Sequence, residues 1–95
     1  MVAIHGNWCG PNWTGGRALA ASDPRVDWSV PAIDALDAAC KVHDKDCAHS
    51  LGCSAKADRI LSSKALFFAI FNPTMAPIAN AVSAGILIAS LGRDR

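Results

Sequence analysis

Tyrosine is absent from this chain, so no phenol can act as an acid or a prop in any site it builds. Charge is sparse too. Only 18% of residues are charged, the formal net charge is +1, and the lysines and arginines do not cluster. Nothing in that balance points to nucleic acid or to a strongly anionic surface, and no obligate protein partner is evident. Internal repeats and low-complexity tracts are missing, and strand signals are weak throughout, which leaves helices as the expected elements. No basic stretch followed by an apolar run opens the chain at Met1. No secretory leader is therefore visible, and one already removed is the expectation.

What is present is a 95-residue chain, 52% hydrophobic, with four cysteines. Such a length suits one domain, residues 1–95, with a moderate core. Four cysteines in so short a chain predict two disulfides and an oxidising, secreted or otherwise exported location. If Cys40 and Cys47 share a helix they stand about 10 Å apart along its axis, beyond disulfide reach. Two pairings survive: Cys9–Cys40 with Cys47–Cys53, or Cys9–Cys47 with Cys40–Cys53. The first is favoured because Cys47 and Cys53 bracket a short loop containing Gly52. A Cys9–Cys40 bridge would contribute about 3–4 kcal/mol in the chain-entropy picture.

Residues 1–30 are rich in glycine and proline and read as loop. Pro31 before Ile33 suits a helix start, with Asp34 and Asp37 complementing its dipole, so a first helix is predicted over 32–48. Ser54 reads as the N-cap of a second helix ending near Phe71, before Asn72-Pro73. A third is predicted over 74–91. Met75–Leu91 is apolar enough to raise a membrane span, but Pro77, Asn80, Ser83 and Gly85 interrupt it and favour a packed helix. The fold expected is all-α: a small disulfide-stapled bundle of about three helices, two antiparallel ones carrying the site.

Chemistry concentrates on the first helix. At helical spacing Ile33, Leu36, Cys40, His43 and Cys47 form one stripe, with Asp37 and Asp44 at its edge. His43 thus projects from an apolar face. On the second helix Ala55, Asp58, Leu61, Ala65 and Phe68 form the buried stripe, beside Ser62. A carboxylate there needs a partner, because burying it alone costs several kcal/mol. His43 is the partner expected, and an Asp–His pair fixes the imidazole tautomer. In Asn7-Trp8-Cys9-Gly10-Pro11-Asn12-Trp13-Thr14-Gly15-Gly16, glycines let a tight loop turn carbonyls toward a cation. A Cys9–Cys40 bridge would set that loop one turn from His43 and Asp44.

Over residues 6–70 these pieces resemble the secreted, calcium-dependent phospholipase A2 superfamily. Trp8-Cys9-Gly10-Pro11 is similar to its calcium loop, and Asp37-Ala-Ala-Cys40-Lys-Val-His43-Asp44 to its active-site helix. Lys56-Ala57-Asp58 resembles the segment that supplies the supporting aspartate. The compact layout is most like the minimal domain of parvoviral capsid proteins, and the cysteines are like those of secreted members. The resemblance implies hydrolysis of the sn-2 ester of glycerophospholipids at a membrane surface. His43 would be the general base on water, and Asp58 would orient it. Calcium would be held by Asp44 and the carbonyls of Trp8, Gly10 and Asn12, with the Gly10 amide as an oxyanion donor. Two positions depart from the pattern. Asn12 stands where the family has glycine, and Cys47 stands where it has the tyrosine that supports the aspartate. The support of Asp58 must therefore differ.

Other residues carry plainer expectations. Trp8, Trp13 and Trp28 are either a lipid-facing collar or caps on a small core. Phe67, Phe68 and Phe71 are expected in the core, and His5 and His49 on the surface. Arg93, Asp94 and Arg95 read as a solvated tail. Two rivals stand beside the hydrolase: a structural zinc site of Cys40, His43, Cys47 and Cys53, and a non-catalytic disulfide-stapled module that binds membrane or protein.

Overall fold

Asp34, rather than Pro31, opens the first helix. Its backbone is extended and its side chain accepts the amide of Asp37 at 2.8 Å, capping donors that the first turn leaves free. In the computed structural model, which describes residues 3–93 and 95, α1 spans Ala35–Cys47. The helix α2 covers Ala55–Phe71, with Ser54 as N-cap accepting from the Ala57 amide, and stops before Asn72-Pro73. A single 3-10 turn, Pro73–Met75, leads into α3, Ala76–Ser90, which has Pro77 in its first turn. Among the described residues there are no strands, only isolated bridges at His5–Cys9 and Thr14–Arg17. This is an all-α arrangement stapled by Cys9–Cys40 and Cys47–Cys53.

One core gathers Leu36, Ala39 and Cys40 from α1, Leu61 and Ala65 from α2, Ala79 and Val82 from α3, and Trp8, Cys9, Leu19 and Val26 from the loops. Helices α2 and α3 meet along a narrow seam of small residues, where the buried hydroxyls of Ser62 and Ser83 share a 2.7 Å bond. So narrow a seam leaves much apolar surface outside. Phe67 and Phe71 are 63% and 77% exposed, against expectation, and only Phe68 packs on the core. Ile70, Ile88 and Leu91 are exposed as well. By length and composition Pro73–Ser90 could cross a membrane, yet it packs on α2 through Ala79, Val82 and Ser83. Ile33 precedes the helix and is also exposed, so the first stripe begins at Leu36.

The loop-rich N-terminal third is ordered by one carboxylate. Asp37 has no exposed surface and accepts the backbone amides of Asn7 (3.0 Å), Trp8 (2.8 Å) and Ile33 (3.0 Å). Its role is to anchor the loop as well as to favour the helix dipole. Gly6 crosses directly above it at φ +57°, and a β-carbon there would lie 2.5 Å from the carboxyl group. His5, expected on the surface, is largely buried and bonds Asp34 at 2.7 Å. His49 is exposed as expected. The tryptophans belong to the scaffold. Trp8 is buried, stacks on Trp28 at 5.2 Å between centroids, lies under the Lys41 ammonium, and donates to the Val30 carbonyl. Trp13 donates to the Gly6 carbonyl.

Replacing Asp37 by Asn leaves an amide facing three backbone donors with one acceptor oxygen. Hydrogen bonds to a charged acceptor are worth about 1.5–3 kcal/mol each, so Asp37→Asn is expected to cost about 2–4 kcal/mol in urea unfolding.

Candidate functional site

His43 sits in the third turn of α1 with its ring almost wholly enclosed. Its Nε2 lies 2.5 Å from Oδ1 of Asp58, which projects from the first turn of α2 and has no exposed surface. Donation of the Nε2 proton to this carboxylate selects one tautomer and leaves the Nδ1 lone pair free as a base. Nδ1 is 3.7 Å from the sulfur of Cys47, which is bonded to Cys53.

Asp58 has a second partner that the sequence reading missed. Arg93 donates through Nε to Oδ2 at 2.8 Å and through a terminal nitrogen to Oδ1 at 3.4 Å. Burial pushes the Asp58 carboxyl up, but the bonds and charges of Arg93 and His43 outweigh it and hold the pKa below the usual aspartate value. Arg95 is docked too. Its guanidinium donates to the Gly52 carbonyl and to Asp46, while its own carbonyl accepts the Ala55 amide. The segment read as a solvated tail is therefore fastened across the Cys47–Cys53 loop and the start of α2; Asp94 lies outside the described residues. One signal pointed to a missing partner: a buried Asp58 needs a donor besides His43, and a chain without tyrosine has no phenol to offer.

Asp44 follows His43 and carries the opposite signature. Its Oδ2 is buried with no hydrogen-bond partner among the described residues. Burial, and then the nearby charge of Asp37, raise its pKa to about 8. The loop facing this side of α1 holds Gly10 at φ 147° and Asn12 at φ 50°, both in the left-handed half of backbone space. Gly10 uses it at no cost, and asparagine is among the few other residues that tolerate it. Among the described residues the Trp8 and Asn12 carbonyls accept no hydrogen bond, and the Gly10 carbonyl accepts only a long one from Trp13 at 3.3 Å.

Trp8, Gly10, Asn12, His43, Asp44 and Arg93 all border one cavity of about 490 Å³, with Leu61, Val82 and Ile86 on its apolar side. Asp58 stands behind His43, away from that opening. The site residues read from the sequence are thus brought together. One ring nitrogen of His43 and the sulfurs of Cys47 and Cys53 also lie within 4.8 Å of one another. Metals take thiolate, however, and all four cysteines are oxidised. Cys40 is bonded to Cys9, so the four-ligand zinc site is overturned. The unpartnered Asp44 carboxylate, by contrast, offers oxygen, the donor that hard cations take. Comparison of the sequence with protein-family models, curated proteins and solved structures finds no match.

Asp44 also yields a stability prediction for the metal-free protein. Its folded pKa, about 8, lies above the ordinary value of 3.8. Between those limits the folded state keeps a proton that the unfolded chain releases, so this residue's contribution makes stability fall as pH rises. In chelator, Asp44→Asn is expected to flatten that fall and to raise stability at pH 8 by about 1–3 kcal/mol, because the amide has no charged form to desolvate. Thermal unfolding from pH 5 to pH 8 measures both effects.

Proposed function

We propose that the protein is a secreted, calcium-dependent phospholipase A2 that hydrolyses the sn-2 ester of glycerophospholipids to a fatty acid and a lysophospholipid. The observation that carries this reading is the enclosed His43–Asp58 pair opening onto the same cavity as the orphaned Asp44 carboxylate. In this reading α1 and α2 are two antiparallel helices that carry the site, and residues 7–16 form the calcium loop. Nδ1 of His43 takes the proton of a water that attacks the ester carbonyl. Asp58 keeps the ring in the required tautomer and stabilises it once protonated. The Gly10 amide donates to the developing oxyanion.

Asp44 and the carbonyls of Trp8, Gly10 and Asn12 would hold calcium, whose chemistry when bound is to polarise the ester carbonyl and offset its developing charge. The apolar side of the cavity suits an acyl chain, and water leaving that wall favours its entry. The two disulfides are compatible with an oxidising compartment, and the exposed Phe67, Ile70 and Phe71 with a lipid surface as the place of work. Those same exposed side chains favour a second reading, a stapled module that binds membranes without turnover.

Fatty-acid release from mixed phospholipid vesicles separates the two. Release is expected with calcium and not with chelator, and His43→Ala should lower it by about 10²–10⁴-fold, the worth of a positioned base. Asp58→Asn should lower it less. Equal release in chelator would remove the calcium assignment, and vesicle binding without release would select the second reading.

A further inference from the structure

We infer that Arg93 is a positioning residue for the His43–Asp58 pair, fixing the plane of the Asp58 carboxylate so that Oδ1 meets Nε2 of the imidazole. The inference rests on the hydrolytic reading for its kinetic consequence and on geometry alone for the rest. Asp58 has two oxygens and no exposed surface. His43 occupies Oδ1, and Oδ2 is engaged by Nε of Arg93 at 2.8 Å. Without that donor Oδ2 would be a buried anionic oxygen lacking its partner, and the carboxylate could turn out of line with Nε2, leaving the ring free to carry its proton on either nitrogen.

Arg93 is well placed to act through Asp58 on the cavity. It follows the end of α3 by three residues and reaches a carboxylate 35 positions earlier in the chain, at the start of α2. Its side chain is only 24% exposed and borders the same cavity as His43 and Asp44. The neighbouring Arg95 is bound to Asp46 and Gly52, so the segment that presents Arg93 is itself held down. A planar guanidinium with donors in fixed directions can impose an orientation that a point charge imposes less well.

Three proteins test this: wild type, Arg93→Lys and Arg93→Ala, with Arg93→Gln read in place of Arg93→Ala should that variant not fold. Vesicle hydrolysis is expected to show kcat lowered about 10- to 100-fold in Arg93→Ala, the scale of a lost supporting contact, with KM and half-saturating calcium unchanged. Arg93→Lys should recover part of the loss. The second readout is the ring tautomer of His43 from proton–nitrogen NMR correlation at fixed pH in chelator. Wild type and Arg93→Lys should hold a single Nε2–H tautomer, whereas Arg93→Ala should show a mixture. A folded Arg93→Ala with an unchanged tautomer overturns the inference, even where its melting temperature falls. If wild type releases no fatty acid, the hydrolase reading fails, and the tautomer comparison by itself decides the role of Arg93.

Discussion

A carboxylate sealed away from water, shared by an imidazole and a guanidinium, is the interaction around which this small protein is arranged. Asp58 is tolerable in the core only because two donors from different parts of the chain reach it. One comes from α1 and the other from the segment after α3, so the single anion joins three regions of the chain. The seam between α2 and α3 offers alanine, valine and serine. Apolar packing there is non-directional, and the polar connections supply the directionality that it lacks.

Much of this was legible before any coordinates. The heptad-like spacing that put His43 on an apolar face, and the stripe that put Asp58 on another, made their meeting the economical way to bury both. The disulfide pairing followed from helix rise and loop length, and Ser54 capped α2 as its position suggested. The misses share a cause. Arg93 lies 35 residues from its partner, and local periodicity says nothing about contacts at that range. Asp37 looked like a helix-dipole residue because its sequence neighbours are helical, while its partners Asn7 and Trp8 come from an irregular loop. Phe67 and Phe71 were assigned to the core by their hydrophobicity, but the small residues of α3 cover too little of α2 to enclose them.

Two carboxylates near one site have been driven in opposite directions. Asp58 is surrounded by donors and held ionised, whereas Asp44 is starved of them and held toward its protonated form. The contrast arises from neighbours rather than from depth, since both groups lie largely out of solvent. An acid already satisfied is suited to holding its neighbour in place. One that lacks a partner is suited to receiving something from outside.

Residues 3–30 make no helix, and their order is borrowed from α1 through the Asp37 carboxylate and the Cys9–Cys40 bond. Both attachment points lie within two turns of His43 on the same rod. Fraying of α1 would therefore loosen the amides held by Asp37 and displace the imidazole together, which couples the order of the loop to that of the His43 ring.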